Sequence, residues 1–263
     1  MRYGIEIVRS LLLAISFLTI VPAYGKRVAD QREMAQSLYF YPVVGALIGG
    51  VLALLAYLAD LLQLGIGGDG LIVVAWLILT GGLHGDGLMD TADGVLSGKE
   101  RSKMLEVMRD SRVGAMGVMA FAAVLLLKFS FLASLPVHIK MWALFIAPIA
   151  GRIMMLYAML GFPYAREGKG LGNSFGVQSK QKKLQLSVMA GMVFVLTIML
   201  ASPHFPLYGL FIGAVACLLS VPLIFWIARK LGGHTGDTYG AVCECSEMIF
   251  IVVTVLGLAG FYG

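Results

Sequence analysis

The chain has 263 residues, 59% of them hydrophobic and 13% charged, with a net charge of +5 and a mean hydropathy of +0.87. Soluble domains carry about 25% charged residues, and here charges vanish over stretches of roughly 20 residues, enough to cross ~30 Å of hydrocarbon. A water-soluble globule is therefore excluded, and nucleic-acid binding has no support beyond the net charge. The composition predicts an all-α fold, a polytopic transmembrane helix bundle that forms one integral membrane domain over residues 1–263 in the lipid bilayer.

In chain order, residues 1–22 resemble a secretory signal, with Arg2 followed by an apolar run and small residues. Glu6 and Arg9 interrupt it, which predicts a retained amphipathic or partly inserted helix. Seven spanning helices are expected, at 39–58, 70–83, 113–133, 141–162, 184–201, 207–228 and 247–261. The second is too short alone and is expected to continue through the polar segment behind it. Four connections are long: 22–38, 84–112, 163–183 and 229–246. Together with Arg2 and Arg9 they hold all of the 20 Lys and Arg residues except Lys128, Lys140 and Arg152. By the positive-inside rule these loops face the cytoplasm.

The first long loop after the second span carries His84-Gly-Asp86-Gly-Leu-Met-Asp90-Thr-Ala-Asp93-Gly94. On a helix the three carboxylates share one face, within an arc of about 60°. Like charges so placed repel, and no Lys or Arg intervenes between His84 and Lys99. A divalent cation removes the repulsion, and hard oxygen ligands suit Mg²⁺, with Mn²⁺ as the alternative. Asp86, Asp90 and Asp93 are thus the candidate metal ligands; the competing reading is a solvated helix face.

Arg109 and Arg112, which precede the third span, serve either as topological anchors or as phosphate ligands. Asp110 completes a metal shell or pairs with either Arg. Lys128 lies in the third span, where snorkelling would explain it. Arg152 sits ~15 Å inside the fourth span, and such a cation requires a polar cavity or a partner. Arg166-Glu-Gly-Lys169-Gly-Leu-Gly-Asn173 is a glycine-spaced basic loop in which Lys169 is a candidate anion ligand. The last loop repeats an earlier pattern: residues 81–86 and 232–237 both read G-G-x-x-G-D. Asp237, with Glu244 and Glu247 read as lying at a helix start, is expected to supply a second half of the site beside Asp86–Asp93. Cys217, Cys243 and Cys245 suggest neither zinc nor a disulfide framework, and the four His lack metal-ligand spacing.

Taken in order, these residues resemble the cobalamin synthase (adenosylcobinamide-GDP ribazoletransferase) family. The resemblance is carried by Phe17-Leu-Thr-Ile-Val-Pro22, Tyr41-Pro-Val-Val-Gly45, the acidic motif Gly82–Gly94, Met108-Arg-Asp-Ser-Arg-Val-Gly114, Gly151-Arg152, Gly170-Leu-Gly172, Thr235-Gly-Asp237, Gly240-Ala241 and Ser246-Glu247. It covers essentially the whole chain, though His234 and Cys243-Glu-Cys245 are not matched to the family pattern. The resemblance implies a multi-pass enzyme of the bacterial inner membrane, with its active site facing the cytoplasm. It implies a Mg²⁺-dependent transfer that joins adenosylcobinamide-GDP to α-ribazole, or its 5′-phosphate, and releases GMP. Asp86, Asp90, Asp93 and His84 would be catalytic, with a carboxylate or His84 as the base. Arg109, Arg112, Arg152, Lys169, Asp237 and Glu247 would contact substrate. Two other readings are a CDP-alcohol phosphotransferase, whose D-G-x₂-A-R motif Asp90 interrupts, and a cation-coupled transporter, whose acids belong at the bilayer midplane. A homo-oligomer is compatible with the sequence.

Overall fold

The computed structural model describes residues 2–25, 28–166, 180–201 and 206–262. Eleven α-helices are described: α1 (Arg2–Leu18), α2 (Gln31–Ser37), α3 (Tyr41–Leu61), α4 (Gly65–Leu79), α5 (Leu83–Val95), α6 (Arg101–Val107), α7 (Ala115–Ala133), α8 (Val137–Gly161), α9 (Lys180–Ala201), α10 (Pro206–Leu231) and α11 (Gly236–Tyr262). Among the described residues there is no strand, only an isolated bridge between Tyr164 and His234. The all-α helix bundle is as expected, because in lipid every backbone polar group must be satisfied within its own segment.

Five helical stretches are long and apolar enough to cross a membrane: Gln31–Leu61, Ala115–Ala133, Val137–Gly161, Pro206–Leu231 and Gly236–Leu258. A bent pair, α4 with α5, makes a sixth if counted as one span. The fifth expected segment, 184–201, lies in α9, whose apolar part is Met189–Met199, behind a start rich in Lys. One backbone expectation fails at α4. The helix does not run on through the polar segment; α5 turns away by 86°. Gly81 and Gly82 take φ of +62° and +71°, a left-handed region costly for other residues, so α4 ends there and α5 starts afresh. α5 thus turns from the line of α4 and crosses the start of α11, where Gly87 meets Asp237 and Gly240 meets His84.

A second expectation fails at the other glycine pair. The segment 229–246 is not a long loop: α10 runs to Leu231 and α11 begins at Gly236. Gly232 and Gly233 again have positive φ, +69° and +145°. Glu244 and Glu247 therefore lie two and three turns inside α11 rather than at its start.

The core is centred on α8, which is buried along most of its length. α3 packs against it through Gly45 and Gly49, where a Cβ would strike the backbone of Pro148 and Phe145. This is a small-xxx-small crossing, the usual way for membrane helices to approach closely without a hydrophobic driving force. α1 lies against α2 and α3 through Leu13, Ala14 and Leu18, while Ile5, Ile7 and Val8 remain exposed. That one-sided pattern suits a helix lying in the membrane interface.

Candidate active site

The acidic motif forms α5, with Gly82 as its left-handed N-cap. α11 crosses it at close range. A Cβ on Gly87 would meet the Asp237 backbone, and one on Gly240 the His84 backbone. The two G-G-x-x-G-D elements thus place Asp86 and Asp237 on neighbouring helices at the same end of the bundle. Asp237 accepts a hydrogen bond from Arg166 Nη2 at 2.6 Å. Burial first, then the charges of Asp86, Asp237 and Asp93, push the Asp90 carboxyl up to about 6, with Arg166 opposing. The expected approach of Asp237 to the acidic face is found.

The three acids of α5 are not equivalent. Asp93 Oδ2 accepts from the Gly114 amide at 2.7 Å and Asp93 Oδ1 from the Gly117 amide at 2.8 Å. Gly114 is the N-cap of α7, so this carboxylate caps the next helix and meets the positive end of its dipole. Both glycines leave it room, since a Cβ at either would collide with it. Asp86 and Asp90 have no hydrogen-bond or ion-pair partner among the described residues. No group of three or more His, Cys, Asp or Glu side chains among the described residues is arranged to hold a metal ion. Mg²⁺ commonly takes only one or two carboxylates and completes its shell with water and substrate phosphate. The two unpartnered acids and the raised Asp90 fit that mode.

Glu247 is elsewhere. It lies inside the bundle with Lys128, Arg152 and Glu244, each no more than 2% exposed. Lys128 Nζ is 2.6 Å from both Glu244 Oε2 and Glu247 Oε2, and it sits 4.2 Å from the Trp76 ring centroid. Arg152 Nη1 pairs with Glu247 Oε1. Two cations and two anions cancel. The snorkelling expected of Lys128 is thus incorrect: a partner was available inside, because α11 starts early enough to bring Glu244 and Glu247 level with it. Arg152 has the partner its depth demanded.

Among the described residues, this network meets the acidic helix at His84. Arg152 Nη2 lies 3.5 Å from His84 Nδ1. Arginine has only donors, so Nδ1 accepts and the proton is assigned to Nε2, which is buried and unpartnered among the described residues. The lone pair that His84 would need as a base faces Arg152.

Basic residues border the acids on the other side. Arg101, Ser102, Leu105, Glu106, Arg109, Ala165 and Arg166 line a cavity of about 410 Å³. Arg101 donates from Nε to the Leu231 carbonyl at 2.6 Å and from Nη2 to the Ala165 carbonyl at 3.0 Å, tying α6 to the end of α10. The backbone of Ala165 and His234 joins the same knot through hydrogen bonds of 2.7 and 2.9 Å. Arg112 is 88% exposed and pairs with Asp110 at 2.6 Å; its hydrogen bonds hold the Asp110 carboxyl down at about 2. Lys169 lies outside the described residues. Arg101 was not singled out from the sequence, and Arg166 only as part of its loop. A surface arginine carries no local signal of its role when its partners are 64 and 130 residues away.

These features define a multi-pass helical membrane protein with paired carboxylates and an arginine-lined cavity at one end of the bundle. The family model for cobalamin-5-phosphate synthase matches residues 10–255. An adenosylcobinamide-GDP ribazoletransferase of Desulforamulus reducens is 45% identical over 251 residues, covering 94% of this chain and 96% of the relative. Proteins of the same name from Acetivibrio thermocellus and Roseiflexus sp. are 39% and 40% identical; they cover 94% and 92% of this chain, and 98% and 88% of their own lengths. No solved structure matches. The chain belongs to the cobalamin-5-phosphate synthase family, and it is an enzyme of the transferase class.

Proposed function

We propose that the protein joins adenosylcobinamide-GDP to α-ribazole or α-ribazole 5′-phosphate, releasing GMP, at the cytoplasmic face of a bacterial inner membrane. The name shared by its relatives supports the substrates. The observation that carries the chemistry is the pair of unpartnered acids, Asp86 and Asp90, facing Asp237 and Arg166 across the α5–α11 crossing.

In this reading the ribazole hydroxyl attacks the phosphorus next to cobinamide. A new P–O bond forms, the bridging P–O bond of the diphosphate breaks, and GMP departs with the electron pair. Mg²⁺, or Mn²⁺ in its place, held by Asp86 and Asp90, would supply charge neutralisation for the diphosphate. Asp237 holds Arg166 at the mouth of the cleft, where its guanidinium can orient a phosphate. The hydroxyl proton passes to a carboxylate of the open face rather than to His84, whose free lone pair is turned to Arg152. Asp93 fixes α7 against α5 and keeps the acids in register.

Purified protein in lipid nanodiscs, supplied with both substrates, should release GMP with Mg²⁺ and not after chelation. GMP release unaffected by chelation would remove the metal from the mechanism, and no release with either acceptor would remove the substrate assignment.

A further inference from the structure

The second glycine pair, Gly232-Gly233, forms a joint between the end of α10 and the segment that carries Arg166. Gly233 has a φ of +145°, and a Cβ there would lie 2.2 Å from the Pro163 carbonyl oxygen. This approach lets the His234 amide donate to the Pro163 carbonyl at 2.9 Å and the His234 carbonyl accept from the Ala165 amide at 2.7 Å. Gly232, with a φ of +69°, leaves room for the Arg101 guanidinium, whose carbon a Cβ would approach to 2.9 Å. Arg101 enters this space from α6, and its fork bridges two segments. Nε donates to the carbonyl of Leu231, the last residue of α10, at 2.6 Å, and Nη2 to the Ala165 carbonyl at 3.0 Å. α6 in turn is seated on α5 at Gly94, where a Cβ would meet the Met104 carbonyl and the Met108 side chain.

The bond to Leu231 alone would cap α10, since the last carbonyls of a helix lack partners and cations suit that end. The second bond reaches further. The Ala165 carbonyl belongs to the peptide plane that leads into Arg166. With its amide bonded to His234 and its carbonyl to Arg101, Ala165 has both backbone polar groups fixed. Arg166 is thus held at its base through Ala165 and at its tip by Asp237, 2.6 Å away. Resting on the transfer reading above, we propose that Arg101 is a positioning residue: it fixes the backbone from which Arg166 reaches the diphosphate, and ties that backbone through α6 to the helix bearing Asp86 and Asp90. It does so without touching substrate. A rigid planar fork suits this task, because two nitrogens of set geometry serve two carbonyls at once, where lysine offers one nitrogen on a flexible stem.

Arg101 is exposed, so Arg101→Met removes the fork without opening the core. The test compares kcat/KM for GMP release, per folded protein on size exclusion, in wild type, Arg101→Met, Arg101→Lys, Arg166→Met and the double Met variant. Arg101→Met should lose about 10–100-fold, the scale for a misplaced group, and Arg101→Lys should lose less. In the Arg166→Met background, Arg101→Met should cost less than about twofold more, because no guanidinium is left to place. Equal losses in the two backgrounds, as a simple cap of α10 predicts, overturn the proposal, and so does a loss below about twofold in the single variant. If Arg101→Met does not fold, Arg101→Lys takes its place in the same cycle. A second arm needs no turnover. In hydrogen exchange read by mass spectrometry, peptides covering residues 160–166 and 232–238 should exchange faster in Arg101→Met and at wild-type rates in Arg166→Met. Unchanged exchange in Arg101→Met overturns the proposal. Faster exchange, in a protein whose wild type releases no GMP, shows the hold of Arg101 on Ala165 and places the failure in the transfer reading.

Discussion

Two groups of charged residues meet α11, and they contrast at every point that matters for chemistry. Inside the bundle, Lys128, Arg152, Glu244 and Glu247 are dry, paired and neutral in sum. At the bundle end, Asp86, Asp90 and Asp237 are open to solvent in part, and among the described residues the cation paired with them is Arg166, on Asp237. This balanced network keeps Arg152 Nε as a buried donor without a partner among the described residues, while its ion pairs join α7, α8 and α11. An unbalanced one is held in place against its own repulsion and has bonding capacity to spare. The difference lies in the balance of charge and exposure, since both groups use the same residue types.

The sharpest way to break this comparison is to unbalance the inner group. Lys128→Met leaves Glu244 and Glu247 with Arg152 alone, and removing one partner of a buried ion pair costs about 3–5 kcal/mol. The variant should insert poorly or melt far below wild type on detergent size-exclusion after heating. A wild-type melt would show that the network does not hold the bundle together.

Unbalancing the outer group in the same sense should do the reverse. Asp86→Asn and Asp90→Asn should each lower GMP release by about 10²–10³-fold, the scale for losing one electrostatic contact in a transition state. Their melts should be unchanged or rise by about 0.2–0.5 kcal/mol per relieved pair. Near-normal turnover in both would end the proposal that these acids hold a catalytic cation.

Asp93 tests whether sharing a helix face means sharing a role. Asp93→Ala removes the cap of α7 and should cost about 0.5–2 kcal/mol, with turnover falling only as folded protein falls. Asp93→Asn retains an acceptor oxygen and should lose less. A large loss of turnover in Asp93→Asn at an unchanged melt would move Asp93 into the catalytic group.

The smallest effect is a pH slope. Asp90 holds its proton up to about 6, against 3.8 for an ordinary carboxyl. The folded protein therefore binds that proton more tightly than the unfolded chain, and stability rises as pH falls from 7 to 5. Melts in chelator should show this rise, and Mg²⁺ should flatten it by taking the place of the proton. The slope should also weaken in Asp90→Asn; a melt that drops steadily on acidification would show that the acids are partnered.

The apolar runs specified the helices of the bundle, because a segment without charges has no stable place outside lipid or a core. The spacing Asp86, Asp90, Asp93 specified a shared helix face, and the family pattern extended to Asp237. Other features had no sequence signal. Nothing local distinguishes Asp93 from Asp90; the difference is made by two amides of α7, which arrive from 21 and 24 residues away. Glu244 and Glu247 read as helix-start acids because polar residues mask the first turns of α11, and the Gly45-xxx-Gly49 crossing is visible only when small-residue spacing is sought.

The sequence by itself determined a helical membrane bundle, its charged end and the acids and arginines gathered there, since these follow from hydrophobic run length, charge placement and helical period. Only the tertiary structure decided which charges are spent and which are available. Whether a carboxylate is capped by an amide, cancelled by a lysine or left open depends on which helix crosses beside it. That crossing is set by glycines at Gly87, Gly114, Gly117 and Gly240, whose missing side chains allow backbones and carboxylates to meet at distances that linear spacing does not encode.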